Sequence, residues 1–146
     1  MFDYKIINNP GFKIDENIVK TIFSNIDEIE DKSLNWTLNI VFVDEKTIKN
    51  LNSKYRHKDS VTDVLSFNYY FEFDSLNSED IAGELVFCEE KIKSQGLEYG
   101  LGEEKEFYKL LIHSIFHIIW YDHMIDEDFE IMSKKEDKIW SKIYQK

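Results

Sequence analysis

One cysteine, one proline, one arginine and five glycines among 146 residues say first what this chain is not. A single thiol excludes a disulfide framework and a cysteine-based zinc finger, and it suits a reducing compartment. No Gly/Pro/Ser-rich linker, repeat or low-complexity tract divides the chain, so one domain is expected over residues 1–146. The longest apolar runs fall far short of a membrane span, and the opening MFDYKIINNP lacks the basic-then-apolar layout of a signal peptide. The expectation is a soluble, cytoplasmic protein with no membrane partner. Basic residues are scarce too: 18 Lys and Arg against 29 Asp and Glu give −11, which argues against holding nucleic acid by bulk electrostatics. What the chain does have is apolar surface, 42% hydrophobic with 11 Phe, 8 Tyr and 3 Trp. That suffices for a core without covalent support and excludes global disorder.

The charge is unevenly placed. Residues 44–58 hold five bases (Lys46, Lys49, Lys54, Arg56, Lys58) against Asp44 and Glu45, a local +3 that leaves −14 on the rest of the chain. Residues 59–90 contain no Lys or Arg. In a composition where surface charge comes as lysine, the one arginine, Arg56, marks a place for a rigid, bidentate guanidinium; the alternative is an ordinary surface arginine.

Hydrophobic periodicity predicts an α/β or α+β domain of about four strands and five helices. Residues 3–7 read as a short strand, broken by Asn8-Asn9-Pro10-Gly11. Residues 15–29 read as a helix, with Ile18, Ile22, Phe23, Ile26 and Ile29 on one side and Asp15 as cap. Residues 36–43 (WTLNIVFV) turn continuously apolar, as a central strand does. Asp44 can cap a helix over 45–55, whose Ile48, Leu51 and Tyr55 share a face. Residues 64–73 (VLSFNYYFEF) read as a strand, with residues 81–88 as its hairpin partner across a polar loop. Helices follow over 89–99, 103 to about 120, and 126–144. Cys88 is expected as a buried strand residue. Phe129, Met132, Ile139 and Trp140 form the packing face of the last helix.

Three of the four histidines lie within eleven residues, HSIFHIIWYDH. Around that helix Leu111, Ile112, Ile115, Phe116, Ile118 and Ile119 are apolar, whereas His113 and His117 share one face about 40° apart and ~6 Å along the axis. Two imidazoles so placed on a largely buried helix can bind one metal ion, and a chain reversal at Tyr121-Asp122 would bring His123 as third ligand. Three neutral nitrogens suit zinc and leave a fourth position for water or substrate, as catalytic sites do. The bland alternative is that these are core or surface histidines. Zinc proteases share this spacing but carry Glu directly after the first His; Ser114 stands there and cannot act as that base.

These residues resemble the bacterial YbeY-type endoribonucleases, also described as rRNA maturation factors. The family's H-G-x-L-H-L-x-G-Y-D-H is matched by His113, His117, Tyr121, Asp122 and His123. Its L-N-x-x-Y-R-x-K-D-x-P-T-D-V-L-S-F-P is matched by Leu51, Asn52, Tyr55, Arg56, Lys58, Asp59, Thr62 and 63–67, and its G-D-I-x-I is answered by Gly83, Glu84, Leu85 and Phe87. The chain departs from the pattern at Ser114 and Trp120, each in place of glycine, at Val61 and Asn68 in place of proline, and at Glu84 in place of aspartate. If the turn at Trp120 needs positive φ, tryptophan carries a backbone cost that glycine would not.

The resemblance implies a single-domain metalloenzyme that holds one zinc ion through His113, His117 and His123 and cleaves single-stranded RNA. It further implies maturation of the small-subunit ribosomal RNA 3′ end, ribosome quality control, and Arg56 as the family's essential arginine. Ribosomal RNA and the ribosome or its proteins are the implied partners; oligomeric state is left open. A rival of another class is a non-catalytic ribosome assembly factor that uses the metal site for binding. Around the site, His57 is expected to face solvent, and Asp59, Thr62, Asp63 and Ser66 to orient Arg56 or cap a turn. Asp122 suits either a ligand imidazole or a helix cap. Phe67, Tyr69, Tyr70 and Phe71 could stack on unpaired bases, but in a strand such residues are more often core.

Overall fold

The computed structural model describes residues 2–30, 34–70, 76–77, 79–119 and 126–144. Strands β1 (Asp3–Ile7), β2 (Thr37–Val43), β3 (Val64–Asn68) and β4 (Ile81–Cys88) form one sheet in the order β1-β2-β4-β3. β1, β2 and β4 run parallel, while β3 pairs antiparallel with β4, as the expected hairpin requires. The helices are α1 (Glu16–Ile29), α2 (Glu45–Arg56), α3 (Glu89–Glu98), α4 (Glu103–Ile119) and α5 (Asp126–Ile143). The mixed-sheet α/β class read from the sequence is the one observed.

Caps set the early helix starts. Asp15 accepts from Asn17 N at 2.9 Å, and Asp44 from Thr47 N at 2.8 Å, so each carboxylate satisfies a backbone donor the helix leaves open. Period-two alternation then sorts the central strands between two cores. Leu38, Ile40 and Phe42 of β2 and Leu85 and Phe87 of β4 enter the main core with Val19, Ile22 and Phe23 of α1 and most of α4. Val86 and Cys88 point to the opposite face, where Ile48 of α2 and Leu65 of β3 close a smaller one. Cys88 is therefore a buried strand residue, its thiol pushed up to about 11 mainly by burial.

Two close approaches bring α4 to its place. At Gly83 of β4 an added Cβ would lie 2.4 Å from Phe67 O of β3 and 3.3 Å from Ile118 Cδ1, so only glycine lets the two strands pair this closely beneath α4. Gly102, at φ +83, turns the chain from α3 into α4, and Gly96 faces it so closely that a Cβ would sit 2.6 Å from its carbonyl.

The expected strand over 64–73 is shorter than predicted. β3 ends at Asn68, whose Nδ2 donates to Ile118 O at 3.1 Å, so its side chain satisfies a carbonyl at the α4 C-terminus. Tyr69 keeps one backbone bond to Ala82 O (2.9 Å), and Tyr69 and Tyr70 are then exposed; residues 71–73 lie outside the described residues. No helix among the described residues is long and apolar enough to cross a membrane.

Candidate active site

A groove of about 1320 Å³ opens between α4, β3, the end of α2 and α5. His113, His117 and Arg56 all line it, so residues 57 or more positions apart in the chain face one space. α4 supplies the first two because nearly every other side of this helix is sealed: Leu111, Ile115, Phe116 and Ile118 are fully buried, while His113 and His117 stay partly accessible.

The two imidazoles face each other at hydrogen-bond distance. Nε2 of His117 lies 2.8 Å from Nε2 of His113. On the far side of its ring, His113 Nδ1 is in short contact with Glu136 Oε1 of α5. A carboxylate there holds the proton on Nδ1 and leaves the Nε2 lone pair pointing at His117, the arrangement in which metal-ligating histidines are commonly oriented. Two ligands at ~2.0–2.1 Å on one tetrahedral zinc ion would stand roughly 3.3 Å apart, about half an ångström wider than this pair. Burial first, then the neighbouring His113 and Arg56, lower the pKa of His117 against the opposing pull of Glu136. That favours the neutral imidazole a metal needs.

Two of the three residues expected as ligands lie among the described residues. His123 lies outside them, as do Trp120, Tyr121 and Asp122, and among the described residues no group of three His, Cys, Asp or Glu side chains forms a metal cage. Ser114 is buried and donates its hydroxyl to Leu110 O at 2.7 Å, so its proton is committed to the helix backbone.

Arg56 is the last residue of α2 and is exposed. Behind it His57 takes the left-handed conformation, φ 58, that ends the helix. Asn52, buried one turn earlier, ties this corner down. Its backbone carbonyl accepts from Lys58 N (3.2 Å), and its Nδ2 donates to Ser60 O (3.0 Å). Among the described residues no carboxylate pairs with Arg56, so its guanidinium can meet an anion in the groove.

The acidic neighbours serve the frame. Asp63 accepts from Val64 N (2.7 Å) at the start of β3 and from Gln95 Nε2 (3.1 Å), which also reaches Glu106 Oε2 at 3.1 Å. Among the described residues Asp59 makes only an exposed pair with Lys49 at 3.9 Å. Neither orients Arg56. His57 is exposed as expected, yet its backbone role was not anticipated. Phe67 packs on the smaller core, whereas Tyr69 and Tyr70, for which a core position was the commoner expectation, stand out in the groove; Phe71 lies outside the described residues. Met132 and Ile139 are buried and Trp140 packs against them, as the last helix required.

Sequence reasoning missed Glu136 altogether. It sits in a run of lysines and acids, SKKEDK, and nothing local distinguishes it from a solvated helix face; only the docking of α5 against α4 brings it to His113.

Comparison with known proteins bears on the whole chain. A family model described as Endoribonuclease YbeY matches residues 7–144. The chain is similar to Endoribonuclease YbeY of Fusobacterium nucleatum, 38% identical over 128 residues (86% of this chain, 77% of that protein). It is 33% identical over 152 residues to the protein of that name from a Thermoanaerobacter species (94% and 96%). A solution structure of the Thermotoga maritima protein TM1509 has a similar fold, with a TM-score of 0.56 at 26% identity, covering 97% of this chain and 91% of that one.

Proposed function

This chain belongs to the YbeY endoribonuclease family, and from that premise we propose that it is a zinc-dependent endoribonuclease acting on single-stranded RNA. In this reading His113, His117 and His123 hold one zinc ion and Arg56 grips the phosphate to be cut. When bound, the metal supplies a Lewis acid for a phosphoryl oxygen and lowers the pKa of a water to about 7. The protein's own groups do the rest. Glu136 keeps a proton on His113 Nδ1, so that Nε2 faces the groove as a lone pair. Arg56 offers two parallel N–H donors to phosphate oxygens and remains charged at every working pH. Ser114, bonded to Leu110 O, takes no proton from the reaction, which separates this site from the zinc proteases of similar spacing.

The observation that carries the reading is that Arg56, without a carboxylate partner among the described residues, lines the same groove as the facing Nε2 atoms. A role in small-subunit ribosomal RNA 3′ maturation and ribosome quality control in the cytoplasm follows from the family resemblance. A net charge of −11 fits it, because so acidic a chain is a poor stand-alone RNA binder and suits delivery of the substrate by the ribosome or its proteins. The test is metal content and RNA cleavage side by side. Purified protein should carry close to one zinc per chain and cut a single-stranded RNA, and His117→Ala should lose both. Bound metal without cleavage in the zinc-replete wild type would favour a non-catalytic assembly factor.

A further inference from the structure

Among the described residues, three of the four large exposed aromatics share one place, and Tyr99 stands apart from them. Tyr55 (56% exposed), Tyr69 (51%) and Tyr70 (44%) all line the groove that holds His113, His117 and Arg56. Single exposed aromatics are ordinary, but several around one concave site mark a binding surface. We infer that Tyr55, Tyr69 and Tyr70 form a stacking platform for the unpaired bases that flank the scissile phosphate. This inference rests on the reading that the groove takes RNA.

Two of the rings are held from behind, so little side-chain freedom remains to be lost on binding. Tyr55 packs edge-on against Phe67, with centroids 5.3 Å apart at 73°. Tyr69 is held by its backbone bond to Ala82 O and by its hydroxyl, which donates to Glu84 Oε2 at 3.1 Å. The sequence continues β-strand chemistry through Tyr69 and Tyr70, yet β3 stops at Asn68 because that side chain is engaged with Ile118 O, and the tyrosines are turned out of the core.

The groove's lining is mixed in charge. Arg56 and Lys109 line it together with Asp63, Glu136 and Asp137, and Lys54 Nζ lies 5.2 Å from the Tyr55 ring centroid. So mixed a lining is too weakly cationic to bind a strand by its backbone alone, and the larger share of affinity falls to the rings. A duplex hides the faces of its bases, whereas an unpaired strand offers them, and stacking on an aromatic side chain contributes ~1–3 kcal/mol per base.

The probe is a 2′-O-methyl oligoadenylate octamer, checked intact after titration against the zinc-replete full chain. Tyr55→Ala, Tyr69→Ala and Tyr70→Ala should each weaken binding roughly 5- to 150-fold. Tyr69→Phe, which keeps the ring but loses its anchor on Glu84, should bind far more tightly than Tyr69→Ala and somewhat less tightly than wild type. An abasic strand with the same backbone should bind weakly and alike to all forms, and the shallow salt slope of the wild type should be unchanged in the tyrosine variants. Alanine variants that melt with the wild type and bind oligoadenylate equally well would overturn the inference, as would an abasic strand that binds as tightly as the base-bearing one. RNA cleavage measured alongside separates the two readings. Cleavage without the tyrosine dependence removes the platform alone, and tyrosine dependence without cleavage removes the nuclease alone.

Discussion

His113 and His117 project from a helix whose other faces are sealed in the main core, whereas Arg56 stands at the exposed end of α2 with one buried asparagine behind it. The two sides of the groove thus inherit their order from different sources. The imidazoles are placed by packing: Phe116, Ile115 and Ile118 fix the roll of α4, and Glu136 then sets one ring's proton. The guanidinium is placed by a local turn, with His57 left-handed and Asn52 bonded across it. The proposed metal site would tolerate little displacement of its ligands, and a rigid helix suits that. An arginine with a long side chain reaching for a moving phosphate needs a fixed base and a free tip.

Substitutions can break that contrast one side at a time. The largest effect is expected at Phe116→Ala, which opens a cavity beneath α4 and should cost about 3–5 kcal/mol in denaturant unfolding. Zinc retention should fall with it, since the same packing holds the histidines. Next, Glu136→Gln keeps an acceptor for His113 Nδ1 but removes the charge. A chelator competition should show zinc affinity lowered roughly 10- to 100-fold with the unfolding midpoint little changed.

On the arginine side, Asn52→Ala removes the bond to Ser60 O and should cost about 1–3 kcal/mol. Its signature is a lower kcat/KM for RNA at unchanged zinc affinity, and a fall in zinc affinity of the same size would erase the distinction between the two sides. The smallest effect belongs to Glu106, whose carboxyl pKa is raised chiefly by burial near the start of α4. A folded-state pKa above the unfolded one means that this group's stabilisation is present in acid and is lost as pH rises through the folded value. Glu106→Gln should therefore flatten the fall of Tm as pH rises above about 4.5, and an unchanged slope would show that this carboxyl does not titrate in the fold.

Much of this was legible in the sequence, and what was not has a common cause. The i, i+4 histidines on an oily helix and the one arginine in the one basic stretch are local patterns, and both lie where local geometry puts them. The antiparallel pairing of β3 with β4 followed from period and spacing, whereas the strand order did not, because crossover connections leave no local pattern. The end of β3 did not, because Tyr69 and Tyr70 have strand propensity and only the engagement of Asn68 with α4 turns the chain away. Glu136 is hidden for the same reason: its partner lies 23 residues away on another helix, a relation set by tertiary packing. Ser114, read as a departure from the family pattern, is accommodated by bonding back to its own helix.

In the proposed function, two differently built sides of one groove act on one phosphate. Single-turnover RNA cleavage by His117→Ala, Arg56→Ala and the double variant tests it most directly. Groups that serve the same transition state are not additive, so the double variant should cut about as slowly as the slower single one. Losses that multiply, or an Arg56→Ala protein that cuts at the wild-type rate, would contradict the account.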